Sequence, residues 1–156
     1  INIYHDAFVE TPFYLDSSNW QDNAFYIGHH LIDTNEDLTG DFVVKEGTKK
    51  IQKEAIKNNE GITSITFPSG FEALATNAIY ECPNLQSIDL PESTREIQNQ
   101  RFVRNMRMTV RAKTPPALYL TYEDVSAIYV PAESVDAYKA ANYWKKYASV
   151  IFPIDE

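Results

Sequence analysis

The stretch ITSITFPSG, residues 62–70, returns 23 residues later as LQSIDLPES, residues 85–93. Ile65 and Phe67 align with Ile88 and Leu90, and a strand-ending proline follows each pair. One period earlier the same register continues through Phe42. A fixed period of this kind predicts stacked structural units, and it takes precedence over any local assignment of helix or strand.

Eight positions of each copy form the expected inward set. In the middle copy they are residues 62, 65, 67, 71, 74, 78, 79 and 82. Of the 24 positions in three copies, 18 are hydrophobic, where composition alone gives roughly ten or eleven. The six exceptions are Thr39, Thr48, Asn59, Thr94, Arg101 and Asn105. The pattern therefore predicts one core that is shared by neighbouring copies.

The spacing of hydrophobic residues changes halfway through each copy. The alternation in SITF and SIDL predicts a short strand, and the proline that follows ends it because proline has no N–H to donate. In the second half, Leu74, Ala78 and Ile79 have near-helical spacing, which predicts a single turn or a 3-10 segment. A strand, a turn and a short return are typical of a leucine-rich-repeat coil, so the predicted fold is an α+β repeat solenoid.

Several phrases carry a family resemblance. They are AFYIGHHLIDTNEDLTGDFVVKEGTKKIQKEAI (24–56), SITFPSG (64–70), AIYEC (78–82), VRAKTPPAL (110–118) and IYVPAESVDAYKAA (128–141). In this order they resemble the BspA-like leucine-rich-repeat proteins of host-associated bacteria. The resemblance implies a right-handed coil with short parallel strands, an extracellular or cell-surface location, and adhesion or binding without catalysis. It also implies a hairpin insertion and a C-terminal helical cap.

The flanks of the array differ from its middle. Residues 1–38 are predicted to form a partial repeat, with Ile3, Ala7 and Phe8 spaced like Ile51, Ala55 and Ile56, plus the hairpin FYIGHHLID. Residues 39–112 are the repeats of period 23, and residues 113–156 are the last strand and the cap of one continuous domain. The spacing slips to 20 at Met108 and again at Ile128. We expect AESVDAYKAA to form a short helix, and Tyr138, Tyr143, Trp144 and Tyr147 to close the last coil.

The distribution of charge along the chain argues against nucleic acid as a partner. The net charge of −8 lies entirely within residues 1–44, which hold eight acids and no Lys or Arg. Nucleic acid requires clustered positive charge, so it is an improbable partner. The sequence lacks the run of about 18 apolar residues that a membrane helix needs. Because the chain begins at Ile1 without a signal segment, we expect any targeting signal to have been removed or to lie upstream.

The sequence predicts no catalytic residue, no cofactor and no metal site. Asp33, Asn35, Asp37 and Asp41 resemble the start of a calcium loop, but Leu38 and Val44 occupy the glycine and glutamate places of an EF-hand, which leaves only an irregular site open. His29 and His30 fit a hairpin turn better than a metal site. Cys82, the single cysteine, occupies the place of Asn59 and Asn105, so it is interpreted as a structural turn residue.

Two groups of residues remain as candidates for function. The outward strand positions, which we expect to form a ladder that contacts a host or bacterial surface protein, are Val43, Thr66, Asp89, Thr109 and Tyr129. The five arginines, which form either a solvated edge or a patch for an anion or an acidic partner such as another copy's acidic segment, are Arg95, Arg101, Arg104, Arg107 and Arg111. Glycan binding through Trp20, Tyr26 or Tyr129 is the alternative.

Overall fold

Strands dominate the structure, a computed structural model that describes residues 5–119 and 125–155. Six longer strands line one side: β4 (Gly40–Val43), β7 (Ile62–Thr66), β10 (Ser87–Leu90), β12 (Met106–Val110), β14 (Val125–Val130) and β15 (Ile151–Pro153). Between these lie six two-residue strands: β5 (Lys50–Ile51), β6 (Ile56–Lys57), β8 (Ala73–Leu74), β9 (Ile79–Tyr80), β11 (Glu96–Ile97) and β13 (Ala117–Leu118). All of these pair in parallel.

The sequence period is the strand register. Phe42 pairs with Ile65, and Ile51, Leu74 and Ile97 follow one another across β5, β8 and β11 at intervals of 23 residues. The slip to 20 is confirmed by the pairing of Ile88 with Met108 and of Met108 with Ile128. Side chains that the alignment placed together therefore stack directly above one another.

Burial follows the same alignment. Of the six polar exceptions, Thr48, Asn59 and Thr94 are buried with the core, whereas Thr39, Arg101 and Asn105 are exposed. Phe67 is only partly buried, and it packs against the fully buried Phe71.

Of the two alternatives for the second half of each copy, a single turn or a 3-10 segment, the middle copy has a turn at residues 76–77 and no 3-10 segment. Leu74 and Ile79 belong to separate two-residue strands, and no helix joins them. The chain bends between the strands through residues with positive φ, namely Glu54 in one coil and Asn77 in the next. Asparagine tolerates this left-handed conformation better than most residues. A sharp corner thus produces the spacing that resembled a helical turn.

The front of the chain holds an antiparallel unit. β1 (Trp20–Gln21), β2 (Ala24–Ile27) and β3 (His30–Thr34) form it, which confirms the predicted hairpin. β3 then pairs in parallel with β5 and continues the sheet of two-residue strands. The partial-repeat alignment fails at Ala7, which is exposed although Ala55 is fully buried; Ile3 lies outside the described residues.

Helices are few and short. α1 spans Pro12–Leu15 and α2 spans Val135–Ala140, which confirms a helix in AESVDAYKAA. Short 3-10 helices cover His5–Ala7, Ser17–Asn19, Ala132–Ser134 and Trp144–Val150. β15 then adds a parallel strand beyond β14, which the sequence did not predict. No helix among residues 5–119 and 125–155 is long and apolar enough to cross a membrane.

Aromatic residues fill the core behind β14. Tyr138 and Trp144 are almost fully buried, with ring centroids 4.8 Å apart. The Tyr138 hydroxyl donates to the Ala112 carbonyl at 2.7 Å, and the Trp144 Nε1–H donates to the Pro116 carbonyl at 2.8 Å. Burial raises the pKa of the Tyr138 hydroxyl. Tyr143, expected to join them, is 56% exposed.

Candidate binding face

The outward positions of the longer strands form the strand face. Val43 is the register partner of Thr66, and Thr109 pairs with both Asp89 and Tyr129. Val43, Thr66 and Asp89 are exposed, whereas Thr109 and Tyr129 are half-buried. The structure therefore brings the predicted ladder residues to one side, because alternate side chains of a strand point to opposite faces.

Polar contacts order the first half of this face. Asp41 accepts hydrogen bonds from the Ser64 hydroxyl at 3.0 Å and from the Thr66 hydroxyl at 3.0 Å. Asp89 accepts two hydrogen bonds from Arg111, at 2.8 Å to Nε and 2.7 Å to Nη2. The Asp89 carboxylate raises the pKa of the Arg111 guanidinium. Since both side chains are about half exposed, we assign the pair no more than about 1 kcal/mol of stability.

The second half of the strand face is aromatic. Tyr129 is the register partner of Phe152, with ring centroids 6.1 Å apart, and Phe152 is 42% exposed. Val43, which is 61% exposed, lies on β4 in the neighbouring two-stranded sheet. Phe152 was not predicted as a face residue because β15 was not predicted, although its sequence IFP repeats the strand-ending proline.

The five arginines do not share one surface. Arg107 lies on β12 and Arg111 directly follows that strand, while Arg101 forms an isolated bridge with Tyr80 on the side of β6 and β9. Arg95 immediately precedes β11. Arg104 is exposed in the turn that leads to β12. The five arginines are therefore close in sequence but lie on different elements, and Arg111 is paired with Asp89.

Cys82 is placed as a buried turn residue. Its Sγ lies 3.8 Å from the Ile56 carbonyl and 3.5 Å from the Tyr80 carbonyl, and burial raises the pKa of the thiol. A raised pKa leaves little reactive thiolate. The equivalent Asn59 accepts from the N–H groups of Gly61 and Ile62. Asn105 departs from this pattern, since it is exposed with a positive φ.

The acidic side chains around the start of β4 have different environments. Asp33 is buried, where it accepts hydrogen bonds from the Thr34 N–H at 2.9 Å and from the Tyr14 hydroxyl. Asp37 and Asp41 are exposed. Within the described ranges, no group of three or more His, Cys, Asp or Glu side chains is arranged to hold a metal ion. Asp33 thus ties α1 to β3.

Two of the three glycan candidates are engaged in packing. Trp20 donates its Nε1–H to the Tyr14 carbonyl at 2.8 Å and packs on the fully buried Phe25. Tyr26 accepts a hydrogen bond from the Lys45 N–H at 3.1 Å, and Lys45 Nζ lies 5.6 Å from its ring centroid. Tyr129 remains on the strand face.

The adjacent histidines have different environments. His29 lies in the turn between β2 and β3, with Nδ1 2.9 Å from the Gly47 carbonyl. His30 opens β3, where its Nδ1 lies 2.8 Å from Gln52 Nε2. Burial lowers the pKa of His30. Both histidines therefore connect the hairpin to the following coil.

Comparison with known proteins identifies the repeat. A family model described as the BspA type leucine-rich repeat region (6 copies) matches residues 34–112, just over half of the chain. No curated protein matches the sequence. The matched residues run from the end of β3 to just beyond β12 and include Val43, Thr66, Asp89 and Thr109. This chain belongs to the family of BspA-type leucine-rich-repeat proteins.

Proposed function

We propose that the chain is a non-catalytic binding module of a bacterial surface or secreted protein, which contacts a protein partner through the strand face. Family membership supports the coarser statement of a protein-interaction or adhesion module, and the family is generally non-catalytic and typically surface-associated. The observation that carries the proposal is the register of the outward positions, which pairs Val43 with Thr66 in one sheet and links Asp89, Thr109, Tyr129 and Phe152 in the next.

The chemistry of this row supports a protein partner. Hydroxyl and carboxylate groups occupy its centre, and exposed apolar side chains stand at its ends. Aromatic residues and arginine contribute strongly to protein interfaces. The proposal includes a right-handed solenoid, the division at residues 38 and 112, and a C-terminal cap formed by the helical segments after β14.

A pulldown tests the proposal. The bait is the chain, and the probe is a biotinylated extract of host epithelial surface proteins. The test variant replaces Thr66, Asp89 and Tyr129 with Ala. The control replaces Thr39, Asp136 and Tyr119, which are exposed residues of the same types outside the longer strands. We expect saturable capture by the wild type and the control, and at least a tenfold loss in the test variant.

Two results would count against the proposal. Unchanged capture by the strand-face variant would remove this face from the interaction. Saturable binding to a glycan array, with no saturable protein capture, would instead favour the glycan alternative. In that case Tyr129→Ala is the first variant to test, because Trp20 and Tyr26 already have internal hydrogen-bonding partners.

A further inference from the structure

A cavity of about 350 Å³ lies between two successive repeats, where residues 92–95 face residues 112–116. Its walls are the loop between β10 and β11 and the loop between β12 and β13. The N–H of Arg111 bonds to the Leu90 carbonyl before these loops, and the N–H of Ala117 bonds to the Arg95 carbonyl after them. Between those two bonds the lower loop has four residues (91–94) and the upper loop has five (112–116).

The absence of a bridging serine explains why the loops separate. One repeat earlier, the Ser93 hydroxyl oxygen lies 2.6 Å from both the Ser69 and the Phe71 carbonyl oxygens, so its single O–H joins the two loops. Extending the pairing of Leu90 with Val110 places Lys113 at the corresponding position in the next coil. Its ammonium group lies 3.6 Å from Glu133 instead.

The upper wall is also held from above. The Ser134 hydroxyl donates to the Lys113 carbonyl at 2.8 Å, and the Trp144 Nε1–H donates to the Pro116 carbonyl at 2.8 Å. Pro115 and Pro116 have no N–H with which to bond the lower loop. Hydrogen bonds to neighbouring coils thus fix each wall, and the space between them is part of the fold.

The walls carry donors that the fold leaves unused. The Arg95 side chain has no hydrogen-bond or ion-pair partner among residues 5–119 and 125–155. Thr94 is only 3% exposed, and its hydroxyl oxygen also lacks a hydrogen-bond partner in the described part of the chain. Lys113 and Thr114 line the opposite wall, and Glu92 contributes a carboxylate. A buried hydroxyl without a partner carries a desolvation cost that a ligand can offset.

We propose that this cavity binds a phosphate or sulfate group, either as a free anion or attached to a larger molecule. The Arg95 guanidinium supplies a planar fork of donors that fits such an oxyanion, and Lys113 adds a second positive charge. The Thr94 hydroxyl supplies a neutral donor after rotation about its side-chain bond. The cavity volume is within the range of small-molecule sites and exceeds that of the anion alone, so it has room for an attached sugar or similar group.

Calorimetric titration of the chain with inorganic phosphate and inorganic sulfate tests the site, with sodium chloride at matched ionic strength as the blank. We expect saturable binding that Arg95→Ala weakens at least tenfold and Glu92→Gln strengthens. The matched control is Arg104→Ala, since Arg104 is also exposed but lies outside this cavity. Glucose 6-phosphate is the second arm: tighter binding than phosphate indicates an attached ligand, and equal binding indicates the free ion.

Thr94→Val separates a binding role from a structural one. Valine keeps the shape but removes a hydroxyl that has no partner in the fold, so we expect an unchanged or higher Tm together with anion binding weakened severalfold. The proposal is overturned if the anions give no saturable heat beyond the chloride blank. It is also overturned if Arg104→Ala weakens binding as much as Arg95→Ala.

Discussion

The two sides of the longer strands have different roles. Ile65, Ile88 and Met108 point inward and are almost fully buried, and the register pairs Ile65 with Phe42 and Ile88 with Met108. Thr66 and Asp89, one residue further along, point to solvent and form only exposed polar contacts. The inward side therefore contributes the hydrophobic free energy of folding, whereas the outward side is free to vary in chemistry. We expect the same strand to tolerate a substitution at one position and unfold from a substitution at its neighbour.

The largest expected effect is at the centre of the sheet of two-residue strands. Leu74 is fully buried and lies between Ile51 and Ile97 in the register. Leu74→Ala should lower the free energy of unfolding by about 2–5 kcal/mol, because it leaves a cavity that the stacked coils cannot close. Urea denaturation measures this loss. Thr66→Ala is the outward control, and it should cost about 1 kcal/mol or less; equal losses would contradict the division into two sides.

An intermediate effect is expected behind β14. Trp144→Phe removes the hydrogen bond to the Pro116 carbonyl and part of the buried ring. The expected loss is about 1–3 kcal/mol, since the carbonyl is left without its donor. Thermal unfolding followed by circular dichroism provides the measurement. Tyr143→Phe, at a 56% exposed neighbour, should change stability by less than about 0.5 kcal/mol. A larger loss from Tyr143→Phe than from Trp144→Phe would refute this placement.

The smallest effect is expected on the strand face. Asp89→Asn weakens the paired hydrogen bonds from Arg111, but both side chains are about half exposed. The cost should be below about 1 kcal/mol at low salt, and it should shrink further at 1 M salt because exposed ion pairs are screened. Denaturation at the two salt concentrations gives the comparison. A loss that persists undiminished at high salt would indicate that Asp89 supports the core.

Much of the repeat could be predicted because burial in stacked coils leaves a strict periodic signal. The intervals of 23 and 20 residues are the observed register, and the hairpin and the helix α2 were also predicted. The two-residue strands at Leu74 and Ile79 were not predicted, because the bend between them gives the same spacing as a helical turn. Positive φ at Glu54 and Asn77 was visible only in three dimensions.

Buried polar residues were missed for a different reason. Gln52 and Gln100 are almost fully buried, which a hydrophobic pattern cannot indicate. Gln100 donates to the Ala75 carbonyl at 2.5 Å and accepts from the Ile79 N–H at 3.3 Å, so it satisfies backbone groups inside the stack. The Arg95 cavity was likewise hidden, because it depends on which loops become neighbours. The five arginines were grouped because they are close in sequence, but in the structure they lie on different elements.

Thiol labelling of two adjacent positions tests the central claim, that each strand has a stabilising side and a free side. Ile65→Cys and Thr66→Cys are compared in separate proteins, and the buried wild-type Cys82 serves as the internal slow thiol in both. Mass spectrometry after a timed maleimide pulse counts the modified sites. We predict that Thr66→Cys is modified close to the rate of an unfolded thiol, while Ile65→Cys is modified at least a hundredfold more slowly. Similar rates at the two positions would contradict the account.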